Sequence, residues 1–179
     1  MKHLIIALTS VWFTTTFSGC KLLDKLRTFN MDYSVEFSIS GSPLGLPIDL
    51  PTPAITTNSE QRFEDEGIES DWIDSVRLIG LKLTVTSPQG EDFSFLENVS
   101  IYMNADNQPE VLIASKIPVP ENAGNSIDLE VTGADLYPYI SQNSFSLRTE
   151  ATTDEAFTQT IDFRADMVIE VKATIPGGK

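Results

Sequence analysis

The chain has 179 residues, with 12 Lys and Arg against 26 Asp and Glu, a formal charge of −14, and a single His and a single Cys. His3 and Cys20 both lie in the first twenty residues, so the rest of the chain has no imidazole and no thiol. That excludes a histidine general base, a cysteine nucleophile, a Cys/His zinc site and a disulfide from the main body. The acidity excludes nucleic acid as a partner, because binding it requires cations that displace condensed counterions.

Met1-Lys2-His3 is a short basic start, and Leu4 to Phe17 is mostly apolar with Thr and Ser interspersed. The run is shorter than the ~20 apolar residues of a membrane span. It ends in Phe17-Ser18-Gly19-Cys20. Small residues followed by Cys directly after an apolar run resemble the lipobox of bacterial lipoproteins, with Phe17 standing where Leu is commonest. The resemblance implies that residues 1–19 are a cleaved signal peptide and that Cys20 is acylated and becomes the first mature residue. Lys21, in place of the Asp that favours inner-membrane retention, implies an outer-membrane destination, with the face of that membrane left open. Residues 20–28 then form the lipidated Cys and a short tether. Leu22, Leu23 and Leu26 could alternatively share one helical face beside the lipid. About 160 residues remain after cleavage, enough for one domain with a sizeable core.

Residues 29–179 read as that domain, and their dominant signal is period-two alternation, the mark of half-buried strands. Tyr33, Val35, Phe37 and Ile39 alternate with Ser34, Glu36, Ser38 and Ser40. Pro43, Pro47, Pro51 and Pro53 follow, interleaved with Leu44, Leu46, Ile48 and Leu50. Proline cannot donate to a ladder, so this segment is an edge strand or an extended crossover covering an edge. Thr57-Asn58-Ser59-Glu60 has capping-box spacing, with Asn58 or Ser59 as other caps. Ile68, Trp72 and Val76 recur at helical spacing, which predicts one or two short helices between about 59 and 75.

Val76 to Thr86 reads as a strand whose phase changes, from Val76 and Leu78 to Leu81, Leu83 and Val85. Gly80 sits at the change and predicts a bulge. Ser87-Pro88-Gln89-Gly90 is a turn, Pro118 and Pro120 mark a break, and Asn122 to Asn125 a loop. Val99, Ile101 and Met103 share a parity, as do Ile127, Leu129 and Val131, and Phe145, Leu147 and Thr149. Ala134 to Ile140 allows a single helical turn. The clearest strand runs from Ile161 to Val171. The expected fold is mainly β: an antiparallel β-sandwich, immunoglobulin-like in outline, of about seven to nine strands with one or two short helices. A β-barrel is the alternative. Val76-Arg-Leu-Ile-Gly-Leu-Lys-Leu-Thr-Val-Thr-Ser-Pro88, Phe93-Ser-Phe-Leu96, Val99-Ser-Ile-Tyr102 and Asp135-Leu-Tyr-Pro-Tyr139 resemble stretches of uncharacterised bacterial β-sandwich lipoproteins. The resemblance implies fold and location and brings no functional residue.

The densest cluster is Glu64, Asp65, Glu66, Glu69, Asp71 and Asp74 around Trp72. Calcium takes several oxygen ligands, so Glu64, Asp65, Glu69, Asp71 and Asp74 are its candidates, although the spacing fits no EF-hand and a solvated face explains it as well. Asn104, Asp106, Gln108 and Glu110 read as hairpin-turn chemistry before they read as ligands. Paired carboxylates could serve a glycosidase, but 26 acids make candidate pairs uninformative. Gly41-Ser-Pro-Leu-Gly45 has elbow-like glycine spacing with Pro43 in the nucleophile position, so no serine catalysis is expected. Trp72, Tyr137 and Tyr139 could form an aromatic surface for glycan or protein, with core packing the plainer reading.

No catalytic residue and no cofactor other than calcium is expected. The leading function is a non-catalytic interaction or scaffold module, held at the membrane by its lipid and meeting an envelope protein. A second is a carrier of an apolar ligand or lipid, with Phe37, Leu83, Ile101 and Phe163 lining a void. A third is calcium-dependent binding of glycan or protein.

Overall fold

In the computed structural model, which describes residues 25–41 and 47–177, the alternating segments become ten strands in two antiparallel sheets. In chain order these are β1 (Lys25–Ile39), β2 (Pro47–Pro51), β3 (Ile55–Thr56), helix α1 (Ser59–Asp65), a 3-10 turn (Ser70–Trp72), β4 (Ile73–Ser87), β5 (Leu96–Ala105), β6 (Val111–Lys116), β7 (Ser126–Asp128), β8 (Glu130–Val131), helix α2 (Tyr137–Ile140), β9 (Ser144–Thr153) and β10 (Ile161–Ile175). One sheet runs β1-β10-β4-β7. The other runs β2-β9-β5-β6-β8, with β3 also on β9. The fold is a β-sandwich and not a closed barrel. The count exceeds the expected seven to nine because the proline segment divides into β2 and β3, residues 126–131 divide into β7 and β8, and β6 (Val111–Lys116) adds a strand beyond the segments read from the sequence.

That second division moves the chain from one sheet to the other. Ile127 pairs with Leu83 of β4, the Leu129 N–H bonds the Leu81 carbonyl, and Val131 pairs with Ala114 of β6. Ile127 and Leu129 are buried, while Val131, now on the edge of the other sheet, is 38% exposed.

The phase change in β4 is a bulge. Val168 of β10 faces Gly80 and Ile169 faces Leu78, so Ile79 is left over. Val76 and Leu78 before it, and Leu81, Leu83 and Val85 after it, all point into the core, and Ile79 turns outward. One extra residue restores the inward face that period two would otherwise lose.

The core is filled by both inner faces. Met31, Val35 and Ile39 of β1 and every odd residue of β10 from Ile161 to Ala173 are buried, against Val99, Ile101 and Met103 of β5 and Phe145 and Leu147 of β9. Phe163 stacks on Phe37 at 5.4 Å and meets Phe93 at 5.8 Å and Phe95 at 6.4 Å. Leu83, Ile101 and Phe163, expected to line a void if the protein carried a lipid, are buried packing residues, and the half-buried Phe37 ring lies on Phe163.

Two local expectations change. β1 begins at Lys25, inside the segment read as tether, because residues 25–30 pair with 170–175 of β10. The capping box before α1 does not form: Asn58 occupies the cap with φ 49 and makes no side-chain cap bond. The Thr57 hydroxyl instead donates to the carbonyls of Gln142 and Asn143, at 2.5 and 3.3 Å. Ile68, Trp72 and Val76 share no helix, since α1 ends at Asp65 and β4 starts at Ile73.

The sheet edges differ in chemistry. The Thr52 N–H donates to Leu147 O, so the even residues of β2 bond β9 and the odd ones point their main chain outward. Pro47 and Pro51 are odd, and each places a missing N–H on the open side. The proline segment is thus the edge strand expected, with residues 42–46 outside the described ones. In β1 the even residues face outward, as the Asn30 carbonyl shows by accepting from Arg62 of α1.

Candidate functional site

Cys20, the expected lipidation site, lies outside the described residues, as do Leu22 and Leu23. The described fold starts five positions further on, with Lys25 opening β1.

The acid-rich segment lies beside that start. Arg27 of β1 bonds Glu66 at 2.6 Å, and Asp74 accepts from the Thr174 hydroxyl at 2.7 Å. Glu64 and Asp65 ride on α1, Glu69 precedes the 3-10 turn, and Asp71 is within it. Glu60, Glu64, Glu69 and Asp71 border an open groove of about 420 Å³ floored by Phe63 and Ile68. The five calcium candidates do not converge: among the described residues no three carboxylates are grouped so as to hold a metal ion. The chain turns three times within twelve residues here, from helix to loop to 3-10 turn to strand, and this spreads the carboxylates over solvent.

The aromatic candidates separate too. Tyr139 is buried, 6% exposed, and its hydroxyl donates to the Pro109 carbonyl at 2.6 Å, so it belongs to the core. Tyr137 is half-buried in α2 and packs against the same core. Trp72 is half-buried in the 3-10 turn, an element separate from α2.

Two features escaped the sequence. Arg148 of β9 gathers three carboxylates on the outer face of the larger sheet: Glu110 through two bonds of 2.8 and 2.6 Å, and Asp49 and Glu150 at 3.3 Å each. Its guanidinium also lies 4.3 Å above the Tyr102 ring. The bonds from Arg148 hold the Glu110 carboxyl below its ordinary range against the opposing effect of burial, with help from Asn104. The same bonds raise the Arg148 pKa further. The contact fastens the proline edge strand and the β5–β6 hairpin to β9. An Arg two residues from a Glu on one strand face was the available signal, and the partners 99 and 38 residues away carried none.

The second feature is a pair of open grooves, of about 360 and 330 Å³, that share Thr56, Thr57 and Asn58. The second runs along β1 at Met31 to Tyr33. There the Tyr33 hydroxyl donates to Thr57 O at 2.7 Å, and its ring meets Phe145 edge-on at 5.2 Å. Burial pushes the Tyr33 phenol up to about 12, with Arg62 pulling the other way.

No protein-family model matches the chain, and comparison with curated proteins finds no match. Among solved structures it is similar to the decameric BFDV capsid protein, at 10% identity over 83% of this chain and 99% of that one, TM-score 0.41. It is also similar to infectious bursal disease virus, Gt strain, at 17% identity over 98% of this chain and 37% of that one, TM-score 0.39. The Desmodium yellow mottle tymovirus chain gives 10% identity, 98% and 96% coverage, and a TM-score of 0.29. Likeness at this level carries no inference about function or assembly. The fold itself defines the class, a two-sheet antiparallel β-sandwich.

Proposed function

We propose that the chain is a lipid-anchored cell-envelope β-sandwich, directed to the outer membrane, that works as a non-catalytic interaction or scaffold module. The observation that carries the reading is Phe17-Ser18-Gly19-Cys20, directly after an apolar run and only four residues before the first strand. A fully extended chain from Cys20 to Lys25 reaches at most about 18 Å, so an acylated Cys20 keeps the sandwich against the head groups. The reading of the domain as a surface for partners is supported by its filled core, which leaves the outer faces and edges as its chemistry.

The test is Cys20→Ser, followed by metabolic labelling with a palmitate analogue and detergent phase separation. The parent should take the label and enter the detergent phase, and the variant should remain an unlabelled precursor. If the two chains label and partition alike, the anchor assignment is wrong.

A further inference from the structure

On one side of the sandwich, β2 is closed to further pairing by Pro47 and Pro51, whose missing N–H groups face outward. β1, the edge of the other sheet, has no such device. Its first half is covered by α1, through Arg27 on Glu66, Phe29 against Phe63 at 6.2 Å, and Arg62 on the Asn30 carbonyl. The cover ends there. Lys82 and Thr84 of β4 bond β10 on one side of it, which turns Ala165 and Phe163 of β10 toward Val35 and Phe37. By that alternation, as by the Asn30 contact, Ser34, Glu36 and Ser38 direct their main-chain N–H and C=O groups away from β10. Among the described residues nothing bonds these groups.

The solvent face beside this edge is acidic. Asp32 and Glu36 stand on β1, with Asp162 and Asp166 opposite Ser38 and Ser34 on β10. Arg164, opposite Glu36, is engaged with Asp166 at 3.0 Å, and Lys82 of β4 stands on the far side of Asp166 from the edge, salt-bridged to Asp128. Two copies of the chain would bring Asp32 and Glu36 against their own kind and would each carry −14, so self-pairing is disfavoured.

We infer that the edge from Ser34 to Ser38 takes an extended, lysine- or arginine-bearing segment of a partner protein as an added strand of the smaller sheet. Main-chain bonds supply the attachment, and Asp32 and Glu36 select the charge. This rests on the interaction-module reading but not on the lipid, which the Cys20 test reads separately.

The experiment is hydrogen exchange read by mass spectrometry on the full chain in non-ionic detergent, with a capped peptide of alternating threonine and lysine as probe. Exchange should slow in the segment covering Ser34–Ser38 and not at β2 or β7. The same peptide with glutamate for lysine should give no slowing. Glu36→Gln keeps the N–H and should weaken binding several-fold. Glu36→Pro removes the outward N–H together with the carboxylate, and should weaken binding beyond Glu36→Gln, to roughly tenfold or more. Should that variant not fold, a probe N-methylated at alternate residues tests the same bonds on the ligand and should be inert. Equal slowing by both peptides, slowing elsewhere or none at all overturns the inference. So does protection at this edge that rises with protein concentration without peptide, which would make a second copy the occupant.

Discussion

Truncating Phe163 to alanine separates a filled core from a ligand-carrying one. Phe163 lies near the start of β10, 2% exposed, between Phe37 of β1 and Val85 of β4. Three rings surround it, the nearest stacked at 5.4 Å with 21° between planes. Truncation forfeits the transfer energy of the ring and leaves a cavity, together about 3–5 kcal/mol. The strands on either side are held by their ladders, which limits collapse and favours the upper part of that range. For a domain of this size 1 kcal/mol moves the melting temperature by about 2–4 °C, so Phe163→Ala should lower it by roughly 6–20 °C. Calorimetry or thermal circular dichroism measures the shift. Titration with a small aromatic such as benzene measures the space: the variant should bind it and be partly rescued, and the parent should not bind. A loss under about 2 °C, or uptake of the probe by the parent, would mean that the sheets already enclose room, and the apolar-carrier reading would replace the one argued here.

Thr149 and Thr153 are 3% and 1% exposed, and neither hydroxyl has a hydrogen-bond partner among the described residues. Thr149→Val and Thr153→Val remove a desolvated group, so each should raise stability by about 1 kcal/mol in urea denaturation, and a loss would show that the hydroxyls are satisfied in solution. Gly80 has open space where a Cβ would stand, so Gly80→Ala should stay within about 0.5 kcal/mol of the parent. Deleting Gly80 removes the extra residue and leaves Val76, Leu78, Leu81, Leu83 and Val85 in one unbroken period-two register against β10, so that variant should still fold as a sandwich; a deletion variant found unfolded by circular dichroism would refute the bulge. Arg148→Met should cost about 1 kcal/mol at neutral pH, through a partly exposed ion pair and a ring contact. Because the Glu110 pKa is depressed in the fold, this stability is present above the unfolded value near 4.3 and drains away as pH falls through the folded one. Urea titrations should therefore find the gap between variant and parent closing as pH falls below the unfolded value; a constant gap would assign the effect to packing on Tyr102.

The fold was legible wherever one face is buried along a whole strand. β10 showed its inward set from Ile161 onward, and the phase slip at Gly80 showed the bulge, because burial imposes period two locally. Parity names a face but not a sheet, which is why Ile127, Leu129 and Val131 looked like one strand although they serve two. Nor does parity see a ladder partner: residues 25–30 extend β1 because 170–175 lie beside them. Thr57 was read as a cap from its neighbours, yet its hydroxyl is claimed by carbonyls 85 and 86 residues away. Tyr139 and Trp72 look alike in the sequence, and only the docking of α2 decides that the first is core.

The same distinction bears on function. The proposed cleavage and lipid signal is a contiguous string, so proposing it needs no structure. The carboxylates around Trp72 are contiguous too, but successive turns scatter them, and contiguity alone made them look like a site. The contrast between the two edges is an intermediate case. Proline at 47 and 51 is plain in the sequence, and a spacing of four puts both on one lateral side of a strand. Which side that is depends on the Thr52–Leu147 bond. Glu36 is likewise one acid among many until the sheet order makes β1 an edge and turns its N–H outward. A strand that exposes its main chain between Asp32 and Ser38, in a sandwich that blocks its other long edge with proline, is open at the one place where α1 no longer reaches.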